Sequence, residues 1–325
     1  MKTTILILGG WIVALAAAFA NEPMVLLQGQ AQGTTYHIKY VDGRQRSFQR
    51  EVDSLLAEID QSLSLYRPDS EISEFNRSMR FRFRLPHFYA VLKKSEEIFH
   101  QTQGAFDPTV MPLVEAYGFG PKKIPKGQFV NKDSLLQCVG FQNIRFDKVE
   151  IVKLKSGVRL DLNSIAQGYS VDQVGALLEI QGIQHYMVEI GGEILAKGQK
   201  NDGQSWVIGI ENPLSPTQLQ TKMNLTNRAM TTAGNYRNRY EANGQLFSHI
   251  INPKTGEMEQ SAILSVTVFA KNAMTADGYD TAFFVMGLEA TKRFLTTRKD
   301  LEVYIIYGDE KGNLSTYSTE GLKTL

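Results

Sequence analysis

A single cysteine, Cys138, stands among the 325 residues. No disulfide can close within the chain, so the fold must rest on its apolar core. No histidine motif frames that thiol, and it reads as a small buried residue, not a nucleophile. The five histidines (His37, His87, His100, His185 and His249) show none of the paired spacings of a zinc site. A G-x-x-x-x-G-K-[ST] phosphate loop is missing. Gly118-Phe119-Gly120 runs into Pro121 and Lys122, without the third glycine of a dinucleotide fingerprint. There is no G-x-S-x-G elbow. An excess of one charge is lacking as well. The formal net charge of +1 argues against a nucleic-acid partner, because phosphate contact needs a concentrated basic surface. An enzyme built from this chain would have to work with oxygen ligands and backbone groups.

Long apolar runs are confined to the start. Met1-Lys2 opens the chain with a positive charge, residues 5–19 are nearly all apolar, and Ala18-Phe19-Ala20 supplies a small-x-small pattern. This is the layout of a secretory signal peptide, with cleavage expected before Asn21 and export to the periplasm. An uncleaved membrane anchor is the alternative, though the run is short against the roughly 20 residues of a spanning helix. No cysteine follows it to carry a lipid. Residues 21–325 then form one expected domain, and the whole chain's 42% hydrophobic and 21% charged content suits a packed globular core.

Apolar spacing predicts helices over 48–64, 88–102, 165–180, 277–287 and 289–297. Strands are expected at 34–41, 158–162, 185–190, 206–211, 220–225, 246–251, 263–270 and 301–307. Arg80 to Leu85 alternates charged and apolar residues, as a half-exposed strand does. Asp309 to Asn313 reads as a hairpin turn before a last short strand. The order points to an α+β fold: a mixed, largely antiparallel sheet core packed with helices.

Three constellations could carry chemistry. In Thr275-Ala276-Asp277-Gly278-Tyr279-Asp280-Thr281, Thr275 is the expected N-cap. Asp277 and Thr281, four apart, then share one helix face. A hard cation such as Mg²⁺ takes oxygen ligands of that kind. A capped helix with an acid in its first turn explains the same residues. In Asp161-Leu162-Asn163-Ser164-Ile165-Ala166-Gln167-Gly168-Tyr169 a strand is expected to pass into a helix, whose N–H groups could seat phosphate while Ser164 lends an oxygen. The third is Thr231 to Arg237 followed by Phe247-Ser248-His249-Ile250-Ile251-Asn252-Pro253, with His249 at a strand end before a turn. Gly104-Ala105-Phe106-Asp107-Pro108 and Glu189-Ile190-Gly191-Gly192-Glu193 add glycine-punctuated loops.

In this order, and together with Gly33-Thr34, Ser64-Leu65-Tyr66-Arg67-Pro68 and Phe75-Asn76, these segments resemble the FAD:protein FMN transferase family, also called the ApbE family. The resemblance runs from Gly33 nearly to the C-terminus. It implies an α+β enzyme that binds FAD and Mg²⁺ and moves FMN onto a Ser or Thr of a flavoprotein, releasing AMP. Carried over residue by residue, it implies FAD contacts at Tyr66, Ala105, Phe106, Asp107, Asp161, Gln167 and Ile251. The magnesium positions fall on Ser164, Asp277 and Thr281, and the histidine beside the reacting pyrophosphate is His249. Asp280 matches a frequent family residue that would support these ligands from behind.

The chain departs from the family pattern at Gln32, where a Met is usual, at Asn252, where an Asp is common, and at Gln167, where Lys or Glu is frequent. None of the three is a metal position. The expected partners are acceptor flavoprotein subunits of exported or membrane redox complexes. FAD hydrolysis to FMN and AMP is the alternative reaction, and flavin binding without turnover the non-catalytic one.

Overall fold

The computed structural model describes residues 22–121, 131–234, 239–242, 245–259, 261–309, 313–322 and 325. The expected leader, residues 1–20, lies outside them, as do residues 122–130, where Gly120-Pro121-Lys122-Lys123-Ile124-Pro125-Lys126-Gly127 reads by composition as a surface loop.

Fifteen strands are described. β1 (Met24–Ala31) and β2 (Thr34–Val41) form a hairpin, and β3 (Arg80–Arg82), β4 (Ile144–Phe146) and β5 (Glu150–Lys153) form a small sheet. β6 (Tyr186–Ile190), β7 (Glu193–Lys197), β8 (Trp206–Asn212), β9 (Ser215–Leu225) and β10 (Arg228–Gly234) follow. β11 (Arg239–Ala242), β12 (Gln245–Ser248), β13 (Ile263–Ala270), β14 (Glu302–Gly308) and β15 (Leu314–Ser318) complete the set. The main sheet runs β1-β2-β6-β7-β10-β13-β14-β15, every neighbour antiparallel.

Two layers cover this sheet. On β13, Val266 and Val268 face a helical layer, while Phe269 faces the β8–β9 hairpin. On β14, Val303 and Ile305 point to the helices, and Tyr304 and Ile306 to the hairpin. Successive strand side chains point to opposite faces, so a strand covered on both sides reads as a continuous apolar run. The β13 sequence ILSVTVFA is nearly such a run, interrupted only by the buried Ser265 and Thr267. Each Val or Ile fully buried there contributes about 1.5–3 kcal/mol.

The helical layer carries the chemistry-bearing residues. It comprises α1 (Gln49–Leu63), α2 (Glu71–Arg77), α3 (His87–Gln101), α4 (Met111–Ala116), α5 (Lys132–Leu136), α6 (Asn163–Ile180), α7 (Ala273–Met286) and α8 (Leu288–Leu295). On α1, Val52, Leu56, Ile59 and Leu63 are buried, the i, i+4, i+7 spacing of one face.

Three expectations change. Residues 158–162 are not a strand but an extended segment with an isolated parallel bridge, Val110 to Arg159. The helix expected from Asp277 begins at Ala273, because the Asn272 side chain, not Thr275, caps it by accepting from Thr275 N at 2.9 Å. Cys138 is half-exposed instead of buried.

Candidate active site

The first half of α6 is the hub. Its backbone departs from helical values at Ser164 (φ −82°, ψ 17°), one turn before Gly168. In a regular helix the Gly168 N–H would bond to the Ser164 carbonyl. Here it donates to Asp277 Oδ2 on α7 at 2.7 Å. Gly168 makes this approach possible: a Cβ there would collide with the Ala273 carbonyl and lie 2.8 Å from Asp277 Cβ. The tie is returned from α6, where Asp172 accepts from Ala273 N and Met274 N at 2.7 and 2.9 Å. That carboxylate satisfies two N–H groups left open by the first turn of α7.

Asp277 therefore sits in the second turn of a helix capped by Asn272, not in the first turn where the capping explanation would put it. It is buried, and burial pushes its carboxyl up to about 7; the Gly168 N–H opposes the rise and the nearby Asp172 adds to it. Asp280 is raised as well, by burial first and then by Asp277. Thr231 lies near enough to counter this, yet its buried Oγ1 completes no hydrogen bond. Thr281, half-buried one turn beyond Asp277, donates to Asp280 Oδ1 at 3.3 Å.

Buried acids without a neighbouring base are the environment that a cation stabilises. Among the described residues no group of three or more His, Cys, Asp or Glu side chains could hold a metal. A cation at this place would depend on one carboxylate with hydroxyl, carbonyl and ligand oxygens, which suits Mg²⁺ and not zinc.

Gln167 lies against the β6–β7 turn. A Cβ on Gly191 (φ +62°) would strike Gln167 Nε2 and approach Thr34 Cγ2 at 2.9 Å, so only glycine fits. Gln32, at the tip of the β1–β2 hairpin, donates to Ser170 Oγ at 2.6 Å. Gly33-Thr34, Gln167 and Gly191 thus meet at one end of α6.

Just before α6, Asp161 is fastened to the segment carrying Asp107, its N–H donating to the Pro108 carbonyl at 2.7 Å. Asp161 Oδ1 accepts from Asn163 N at 2.9 Å. Burial lifts the Asp161 carboxyl to about 6, and Glu115 lifts it further. Asp107 is likewise pushed up to about 6 by burial, with Thr109 opposing; its Oδ1 accepts from Thr109 N and Thr109 Oγ1 at 2.8 and 2.6 Å. Tyr66 is the exposed member, 69% accessible, and its phenol is raised by desolvation and then by the field of Asp161. Ala105 and Phe106 are buried in the main core, so a ligand would meet their backbone only.

His249 and Ile251 sit on a separate wall. The His249 ring stands edge-on to Phe119 at 6.3 Å, and Ile251 packs with Leu113, Val114 and Val139. Tyr117 Oη donates to the Gly256 carbonyl at 2.9 Å, holding the following turn against the end of α4. This wall joins the Asp107 segment, since Thr109 Oγ1 accepts from Gly140 N at 2.6 Å beside Val139. No contact described here joins His249 directly to Asp277.

The structure thus brings Ser164, Gln167, Asp277 and Thr281 to one pair of helices, and Tyr66, Asp107 and Asp161 to the approach to α6. Asp172, which holds one of those parts, carries no local signal, and Asn76 stands out only within the Phe75-Asn76 pair, with no hint of what it binds; their partners lie about a hundred and 84 residues away.

A layered α+β protein with oxygen donors gathered between two tied helices defines the class. Residues 32–305 match the ApbE family. Among curated relatives, the FAD:protein FMN transferase of Haemophilus influenzae is 36% identical, over 96% of this chain and 94% of its own length. That of Vibrio cholerae is 39% identical over 86% and 88%. The solved flavin transferase ApbE from Vibrio cholerae superposes with a TM-score of 0.84 at 34% identity, covering 92% of this chain and 98% of that one. The apo flavinyl transferase ApbE of Pseudomonas stutzeri gives 0.83 at 31%, covering 92% and 95%. The chain belongs to the ApbE family.

Proposed function

We propose that this chain is a magnesium-dependent FAD:protein FMN transferase, which moves FMN from FAD onto a Ser or Thr hydroxyl of an acceptor flavoprotein and releases AMP. The activity follows from family membership and from relatives of that name at 31–39% identity across most of the chain. The observation that carries the site assignment is the Gly168–Asp277 hydrogen bond. It joins two stretches 109 residues apart and holds the Asp277 carboxylate against the helix that carries Ser164, which supports this reading.

In this reading Ser164, Asp277 and Thr281 hold Mg²⁺, and Asp280 sustains the negative field behind them. Bound there, Mg²⁺ would neutralise charge building on the diphosphate oxygens. Tyr66, the backbone of Ala105 and Phe106, Asp107, Asp161, Gln167 and Ile251 hold FAD. The acceptor oxygen attacks the FMN-side phosphorus and the bond from that phosphorus to the bridging oxygen breaks. AMP leaves with that oxygen, and a group near His249 or Asp277 takes the acceptor proton. Orientation of the acceptor supplies much of the rate, as in other phosphoryl transfers.

Residues 1–20 act as a cleaved leader and the mature domain works in the periplasm, on flavoprotein subunits of exported or membrane redox complexes. The sequence alone supports this part.

The test is incubation of the purified protein with FAD, Mg²⁺ and an acceptor domain. An FMN-sized mass gain on the acceptor with stoichiometric AMP is expected. Free FMN with AMP and no adduct would make the protein a hydrolase, and neither product would leave a flavin binder.

A further inference from the structure

Asn76 and Lys153 lie outside every role assigned above, yet they converge on the backbone that carries Asp161. The Asn76 side chain pairs with Leu160 as a neighbouring strand would: Nδ2 donates to the Leu160 carbonyl and Oδ1 accepts from Leu160 N, both at 2.8 Å. Asn76 is fixed in turn by Lys153, whose Nζ donates to the Asn76 carbonyl at 2.9 Å and sits 4.8 Å from the centre of the Phe75 ring. Lys153 is buried, and desolvation brings its ammonium down to about 8. A buried cation without a carboxylate partner is costly. A solvated lysine elsewhere would avoid that cost, so its placement asks for a reason.

The opposite edge of the same segment supplies one. Val110 bridges Arg159, and Asp161 N donates to Pro108. Arg159 pairs with Glu115 on α4. Residues 159–161 are therefore suspended between two supports, one bearing Asp107 and the other being Asn76. The segment lacks a strand ladder of its own, so without Asn76 both polar groups of the Leu160 peptide would lose their partners beside a buried core.

We infer that Asn76, braced by Lys153, is a positioning residue for FAD: it sets the place of the Asp161 carboxylate relative to Asp107 and Tyr66. This rests on the reading of Asp161 as an FAD contact. The pairing acts on ground-state binding of the dinucleotide, not on the metal-side chemistry, because Asp277 and Thr281 are held independently through Gly168 and Asp172.

The experiment measures the Kd for FAD by flavin fluorescence without Mg²⁺, and KM and kcat for AMP release with it. The variants are Asn76→Ala, Asn76→Asp, Lys153→Met, Asp161→Ala and the Asn76→Ala/Asp161→Ala pair. Ile183→Ala, in a separate part of the core, serves as a stability-matched control. Asn76→Ala is expected to raise Kd and KM about tenfold, equal to roughly 1.4 kcal/mol of lost binding, with kcat within about twofold. Asn76→Asp, which keeps the acceptor for Leu160 N, should fall between parent and Ala and remain measurable if Asn76→Ala does not fold. Lys153→Met should show a smaller rise of the same kind, and Ile183→Ala none. In the Asp161→Ala background, Asn76→Ala should add little. An unchanged Kd in foldable Asn76 variants while Asp161→Ala weakens binding would overturn the positioning role, as would full additivity of the pair. An unchanged Kd in Asp161→Ala would instead sink the assignment of Asp161 to FAD.

Discussion

Asp277 accepts a hydrogen bond from the backbone of Gly168 across the seam between α6 and α7, at 2.7 Å. The bond ties the carboxylate that the family resemblance assigns to magnesium to the helix that carries Ser164 and Gln167. The bond lies one turn past Ser164, where the α6 backbone leaves helical geometry. One contact therefore holds the two helices together beside that irregular turn.

Asp277→Ala should abolish Mg²⁺-dependent AMP release, by at least about a hundredfold, since charge neutralisation on the diphosphate is the largest expected catalytic contribution. The protein should still fold, at a cost of about 1–3 kcal/mol, because the buried Gly168 N–H loses its acceptor while a buried carboxyl without a basic partner is removed. AMP release within tenfold of the parent would remove Asp277 from the site.

Gly168→Ala tests the seam itself. A methyl there collides with the Ala273 carbonyl, a backbone atom that cannot swing aside. The expected cost is about 1–3 kcal/mol of stability, together with weakened Mg²⁺ binding as α6 and α7 separate. Thermal unfolding and a metal titration would check both.

Asp172→Ala should loosen α7 without touching ligand. Two N–H groups of the first helical turn lose their acceptor, for about 1–3 kcal/mol. Asp172→Asn, which retains one acceptor oxygen, should recover part of it. Equal melting temperatures in all three proteins would contradict this.

Tyr66→Ala should behave in the opposite way. Its ring is exposed and belongs to no described hydrophobic cluster, so stability should change by less than about 0.5 kcal/mol. FAD affinity should fall severalfold, read from flavin fluorescence. A melting shift with unaltered affinity would make Tyr66 structural.

The pH dependence of stability has a definite sign. Asp107 and Asp161 are each raised by burial from the ordinary aspartate value of 3.8 to about 6. Between those values the native state binds more protons than the unfolded chain, so unfolding free energy falls as pH rises. The ligand-free protein should lose stability as pH climbs from about 4, with Asp107 and Asp161 contributing up to about 6 and Asp277 extending the loss to about 7. Asp107→Asn should flatten part of that slope in melting curves taken across the range.

Much of the fold was legible because local patterns agreed with their surroundings. The apolar run at 263–270 predicts β13 to the residue, since a strand covered on both faces needs no alternation. Helices at 49–63 and 87–101 fall within a residue of their predicted bounds. Residues 158–162 read as a strand because extended backbone and β-branched residues look alike in sequence whether a strand or an asparagine side chain satisfies them. Asn272 and Thr275, three residues apart, both suit a cap by residue type, and only the folded backbone shows that Asn272 fills that place.

The sequence by itself determined the α+β class, the family, and which residues the family resemblance selects for the site, since periodicity and ordered motifs are written along the chain. Only the tertiary structure decided which backbone group meets Asp277, that Asp172 closes α7, and that Asn76 stands in for a strand beside Leu160. These are contacts between residues about a hundred positions apart, and burial, which sets the acidity of Asp107, Asp161 and Asp277, exists only once those distant segments have packed.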